Sequence, residues 1–214
     1  MTNTLLYGYW RSSAAYRVRI ALNLKNVPYG QSSLNLREGA QKSPEYMAIA
    51  PHGLVPALQI GSDIVIESPA ILEWIEARWP DPPLLPFGVE ERAVVRAMAA
   101  LIGCDIHPLN NLRVLTVLRE DFGASEEKIT AWITRWISEG FTALESLIRS
   151  HGGRYAFGDA PTLADCYLVP QLYSANRFGV DCSAFPRLLD ASAAAAQLPA
   201  VRAAHPDQQP DADR

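Results

Sequence analysis

Four of the sixteen prolines in this 214-residue chain fall within seven residues, PDPPLLP at 80–86. Proline fixes φ and lacks an amide hydrogen, so such a run cannot continue a helix and reads as a stiff, extended connector. The hydrophobic pattern changes across it. Before it, short apolar runs of strand type alternate with helical spacing; after it, the signals are almost wholly helical. The chain is therefore expected to form an α/β domain over 1–80, a linker over 81–87 and an all-helical domain over 88–214.

Within the first part, 5–9 reads as an aromatic and aliphatic strand. The stretch 14–25 is a basic, amphipathic helix with Ala15, Val18 and Leu22 on its apolar face, and 29–36 is a second strand. Ser43-Pro44-Glu45 opens a short helix over 43–49, with a capping hydroxyl, proline at the first helical position and then an acid. Strands at 57–60 and 64–66 flank the hairpin signal Gly61-Ser62-Asp63. Ser68, as N-cap, and Pro69 open a helix through 79. The predicted order is strand, helix, strand, helix, strand, strand, helix. In the second part, helices are expected over 90–101, continuing past Gly103 towards 120 with a kink at Pro108, and over 126–149, 163–178 and 186–198. Thr162 and Asp165 form a capping box, and the polar tail after His205 is expected to be disordered.

A net charge of -4 and a pI near 5.6 argue against a general nucleic-acid binder. No apolar run approaches the ~20 residues of a membrane span. Cys104, Cys166 and Cys182 are sparse, odd in number and without C-x-x-C spacing. They read as small buried residues carrying reduced thiols, which points to the cytoplasm. The four histidines, at 52, 107, 151 and 205, have no metal-ligand spacing.

Four places can carry chemistry. Ser12 and Ser13 follow a strand and open a helix, where free N–H groups and the helix dipole favour an anion. A hydroxyl there can donate to a thiolate and lower its pKa. Arg11 stands beside them, and Arg17 and Arg19 follow on the helix. A serine nucleophile lacks support, because neither a G-x-S-x-G elbow nor a His–acid partner is present. Glu67-Ser68, again at a strand-to-helix junction, can hold an α-amino acid head, with the carboxylate on the helix end and the ammonium on the acid; simple capping explains the pair equally well. Pro56 directly precedes a strand. A cis Val55–Pro56 bond would turn the chain and leave the Val55 backbone open to a ligand, although a trans strand start also fits the local sequence. In GCDIHPLNN, His107, Asn110 and Asn111 lie close together and can line a polar pocket or serve structure alone.

Taken in order and spacing, YWRSSAAYRVRIALN (9–23), LVPAL (54–58), ESPAI (67–71), GCDIHPLNN (103–111) and GDAPTLADCYLVPQLYSANRFGVD (158–181) resemble the zeta class of glutathione transferases. Within it they are most like the bacterial maleylpyruvate isomerases and the maleylacetoacetate isomerases. The resemblance spans nearly the whole chain. It implies an α/β thioredoxin-like N-terminal domain and an all-α C-terminal domain, the glutathione transferase fold, assembled as a homodimer. It implies glutathione as cofactor, a dicarboxylic maleyl keto acid as substrate, and cis–trans isomerisation to the fumaryl isomer. It also implies a cis bond at Pro56, with Val55 pairing the cysteinyl part of glutathione and Glu67 and Ser68 holding its γ-glutamyl head. Ser12 falls on the thiolate-stabilising serine, with Ser13 and Arg11 beside it. His107 and Asn111 fall in the glutathione-closing part of the second domain, Asp105 is placed to reach the glutathione site of the neighbouring subunit, and Arg11, Arg113 and Arg177 are the carboxylate binders. Two positions depart from the pattern. Ala14 replaces the cysteine of zeta proteins and the hydroxyl residue of the bacterial maleylpyruvate isomerases, and Leu112 replaces an arginine. Those departures keep two other readings open: a general glutathione transferase conjugating or dehalogenating small electrophiles, and a non-catalytic glutathione-binding protein.

Overall fold

Strand β1 (Thr4–Gly8), helix α1 (Ser13–Leu24) and strand β2 (Gly30–Ser33) form a parallel β-α-β unit. Strand β3 (Ala57–Ile60) pairs antiparallel with β1, and β4 (Asp63–Ile66) returns antiparallel to β3, giving the order β2-β1-β3-β4. Gly61, at φ 59, turns that hairpin. Helix α2 (Pro44–Ile49) follows β2, and α3 (Ser68–Arg78) follows β4 and packs on α1. This computed structural model describes residues 4–213. It divides into one unit running to Leu84 and resuming at Gln197, and another of Leu85–Ala196.

The sheet accepts α1 closely. A Cβ on Gly8 would stand 3.2 Å from the Ala15 Cβ, so the bare backbone lets the first turn of α1 approach the end of β1. Against α2, Tyr46, Ala50 and Ala57 bury together, with Tyr7, Leu34, Val55 and Ile66 around them.

Four expectations need correction in this unit. Helix α1 has no exposed basic face: Arg17 and Arg19 are 2% and 1% exposed. Carbonyl and hydroxyl partners offset the cost of burying those cations. Arg19 donates to Ala204 O at 3.0 Å and Trp10 O at 2.9 Å, and Arg17 donates to Ser68 Oγ at 3.2 Å. Ser68 is the first residue of α3 rather than its cap; Glu67 holds the cap position at φ 68. The proline-rich stretch is no free spacer. Lys25 pairs with Glu76 and donates to Pro82 O at 2.6 Å, the Glu76 carboxylate accepts from Leu84 N at 3.0 Å, and Leu84 and Leu85 are buried.

The tail, finally, is folded and belongs with the first unit. Helix α9 (Pro199–Ala204), just ahead of the tail, lies on α1, and Asn23 Nδ2 donates to Ala200 O at 2.9 Å; past His205, Pro206–Gln208 form a 3-10 turn and Gln209 is buried and accepts from Gln31 Nε2 at 3.0 Å. Its polar composition hid this order, because the segment is held by hydrogen bonds to α1 and β2 as much as by apolar burial.

The second unit is helical: α4 (Val89–Ala100), α5 (Leu112–Glu120), α6 (Glu126–His151), α7 (Leu163–Arg177) and α8 (Pro186–Ala196). Helix α6 buries the stripe Ile129, Ile133, Ile137, Phe141, Leu144 and Ile148, spaced at three and four residues. Nearly all of α7 is buried, and its start carries the expected box: Asp165 accepts from Thr162 N at 2.8 Å and from Ala156 N at 2.9 Å. Glu145, on α6, caps a different helix. Its carboxylate accepts from Arg187 N at 3.2 Å and Leu188 N at 2.8 Å in the first turn of α8. Cys104 is exposed, unlike Cys166 and Cys182, because it lies on the outer side of the turn after α4. Among the described residues no helix is long and apolar enough to cross a membrane.

Candidate active site

The turn from β1 into α1 is closed by Ser12 N donating to Tyr9 O at 3.0 Å. Ser12 then caps α1: its extended φ/ψ turns Oγ back to accept from Ala15 N at 3.2 Å, while its carbonyl accepts from Tyr16 N at 2.9 Å. A hydroxyl has one hydrogen and two lone pairs. The cap engages a lone pair, which leaves the O–H able to donate to an anion at the positive end of α1. Ser13 is the buried first residue of the helix, and Arg11 is half-buried with its guanidinium 5.5 Å from the Trp10 ring centroid. Ala14 is buried, so its methyl group faces core rather than solvent.

The second helix start is coupled to the first. Arg17 reaches from α1 to Ser68 Oγ, putting a buried full charge at the N-terminus of α3, where the dipole is also positive. Ser68 accepts with a lone pair and keeps its own O–H for a ligand carboxylate. Glu67, at positive φ, is a non-glycine residue held in an uncommon conformation, as functional positions often are. Its side chain is largely exposed and lies 3.4 Å from His52 Nε2.

The Val55–Pro56 bond is cis, as the resemblance implied. Among the described residues neither the N–H nor the C=O of Val55 has a hydrogen-bond partner, while its neighbours are held. The Tyr46 hydroxyl donates to Leu54 O at 2.7 Å, and Ala57 enters the sheet. Burial, with Tyr7 adding to it, keeps the Tyr46 phenol protonated far above its ordinary pKa, so it stays a donor. An open donor–acceptor pair at one residue suits an extended peptide ligand. The first unit thus brings together Ser12, Ser13, Val55, Glu67 and Ser68 on adjoining ends of its sheet and helices, a set that fits a tripeptide thiol.

In the second unit, α4 runs into a π-helical stretch (Leu101–Ile106) in which His107 N donates to Ile102 O at 2.9 Å. The Pro108 ring cannot sit over the Cys104 carbonyl in an α-helix, and the wider turn ahead of it relieves that clash. A 3-10 turn (Pro108–Asn110) follows, and Asn111 caps α5 by accepting from Arg113 N at 3.2 Å. One short segment therefore carries Asp105, His107, Asn111 and Arg113. Asp105 and Arg113 are exposed, while His107 and Asn111 are half-buried. Helix α6 holds the segment: Trp132 Nε1 donates to Leu109 O at 2.9 Å, and a Cβ on Gly140 would come within 2.3 Å of Ile106 Cγ1. Arg177 lies at the exposed C-terminal end of α7 with its guanidinium 4.5 Å from the Phe178 ring centroid.

Two contributors were missed in the sequence. Arg17 looked like part of a solvated face, although its place beside Val18, Ala21 and Leu22 marks the buried side of α1. His52 has no local pattern linking it to Glu67; only the loop geometry does.

Residues 11–78 match the family model of the glutathione S-transferase N-terminal domain, and residues 130–206 that of the C-terminal domain. A maleylpyruvate isomerase of Ralstonia sp is 50% identical over 96% of this chain and 98% of its own. A maleylacetoacetate isomerase of Pseudomonas aeruginosa is also 50% identical, over 96% and 97%. Among solved structures, a maleylacetoacetate isomerase of Anaeromyxobacter dehalogenans with glutathione bound in its active site superposes with a TM-score of 0.91. It shares 43% identity and covers 99% of both chains.

Proposed function

Because this chain belongs to the zeta class of the glutathione S-transferase family, we propose that it isomerises maleyl keto acids, maleylpyruvate or maleylacetoacetate, to their fumaryl forms with glutathione as cofactor. The observation that carries the reading is the Ser12 cap, whose hydroxyl keeps a free donor at the positive end of α1. Glutathione, when bound, supplies the thiolate that adds reversibly to the substrate double bond and frees it to rotate. Ser12 and the first-turn N–H groups, with Ser13 beside them, favour the ionised sulfur and lower its pKa. The open N–H and C=O of Val55, next to Pro56, pair with the cysteinyl part. Ser68, the α3 N-terminus and the Arg17 charge take the γ-glutamyl carboxylate, and Glu67 takes its ammonium. Asp105, His107 and Asn111 complete the glutathione contacts. Arg11, Arg113 and Arg177 supply planar forks for the substrate's two carboxylates. The protein works as a cytoplasmic homodimer.

The test is direct. Purified protein with glutathione converts maleylpyruvate or maleylacetoacetate to the fumaryl isomer and returns the glutathione unchanged, and neither acid reacts without it. No turnover of either acid sinks the proposal. Leu112, exposed where an arginine is expected, favours a second reading: a general transferase, which would instead consume glutathione and accumulate a conjugate.

A further inference from the structure

The segment that returns to the first unit is wired into the turn that carries Ser12. Trp10 N donates to Asp211 Oδ2 at 3.0 Å, a partner 201 residues away. On the other side of the same residue, Trp10 O accepts from Arg19 Nη2 at 2.9 Å, and Arg19 Nε donates to Ala204 O at 3.0 Å. Both peptide groups of Trp10 are thus fixed by the C-terminal strap, one directly and one through Arg19. The strap has its own anchor. Gln209 is 5% exposed, donates to Ala203 O and His205 O at 3.0 and 2.8 Å, and accepts from Gln31 Nε2 at 3.0 Å.

The turn from Tyr9 to Ser12 is closed by a single backbone bond. A rotation of the Trp10 peptide therefore moves Ser12 relative to α1 and re-aims its hydroxyl. An N–H to carboxylate bond is of the stronger, charge-assisted kind, well suited to resisting that rotation. We infer that Asp211 is a positioning residue for the thiolate site: its carboxylate sets the turn from which Ser12 donates. The inference rests on the thiolate role proposed for Ser12.

The experiment compares wild type, Asp211→Ala and Asn23→Ala, each with glutathione, by ultraviolet titration of the bound thiolate and by turnover of maleylpyruvate. Asn23→Ala removes a strap bond at the far end of α1 and controls for loss of strap stability. Asp211→Ala raises the pH at which the bound thiol ionises and lowers kcat roughly 2- to 10-fold, the range one hydrogen bond spans. Asn23→Ala loses thermal stability with the wild-type titration intact. Asp211→Asn, which keeps a neutral acceptor, shifts the titration less than Asp211→Ala. A titration of Asp211→Ala that superimposes on wild type, or an equal shift in Asn23→Ala, overturns the assignment. No thiolate signal in the wild type itself overturns the functional reading and this inference with it.

Discussion

Replacing Asp165 by Asn should change stability in a way that depends on pH. Asp165 is 1% exposed and accepts three hydrogen bonds, from Ala156 N, Thr162 N and the Thr162 hydroxyl. Burial is the larger influence and raises its pKa to about 6, with the accepted bonds pulling the other way. Measured against the ordinary 3.8, that gap corresponds to about 3 kcal/mol at ~1.4 kcal/mol per tenfold. The sign follows from proton binding. The native state holds this proton more tightly than the unfolded chain does, so the associated stability is fully present below about pH 4 and lost as pH rises through about 6. The amide does not titrate, and every other group titrates alike in both proteins. The difference between the two unfolding free energies therefore isolates Asp165. Urea unfolding followed by tryptophan fluorescence, at steps between about pH 4 and about pH 7.5, measures it. Wild type should lose about 3 kcal/mol relative to Asp165→Asn across that range. A flat difference, or one that moves in favour of wild type as pH rises, would show that the accepted bonds outweigh burial and refute the reasoning.

Ser12→Ala should raise the pKa of bound glutathione, seen as less thiolate absorbance in the ultraviolet, and lower kcat roughly 100-fold, as for loss of one preorganised donor. Glu145→Ala leaves two first-turn amides of α8 without their acceptor and should cost roughly 2–4 kcal/mol in urea unfolding. Gly140→Ala drives a methyl into Ile106 and should cost roughly 1–3 kcal/mol; thermal unfolding reads it.

The sequence made the fold readable where local chemistry and tertiary packing agree. The strand-helix alternation before the prolines, the hairpin at Gly61 and the Thr162–Asp165 box are all decided within a few residues of themselves. The candidate site stood out for a different reason. Ser12, Glu67 and Ser68 lie at strand-to-helix junctions, and a helix start is an anion site by construction. What stayed hidden depends on partners distant in the chain. Arg17 looks solvated until Ser68 stands beside it, and Glu145 looks like one more acid on a long helix until α8 starts beneath it. The tail after His205 looks disordered until Trp10 and Gln31 are seen to hold it. The π-helical stretch before Pro108 was foreseen only as a kink, because proline forbids the α-helix without dictating which wider turn replaces it.

The interleaving of the two units has a consequence for synthesis. The chain leaves the first unit at Leu84 and comes back at Gln197. At ~5–20 residues per second, a ribosome needs roughly 6–20 seconds to make what lies between. During that interval the sheet and its helices have emerged, but Arg19 lacks Ala204, Asn23 lacks Ala200 and Trp10 lacks Asp211. The thioredoxin-like half is the first to be made, yet it reaches its final form only after the helical half has been synthesised. A nascent chain stalled between the two should present α1 with Arg17 already beside Ser68 and Arg19 still open to water.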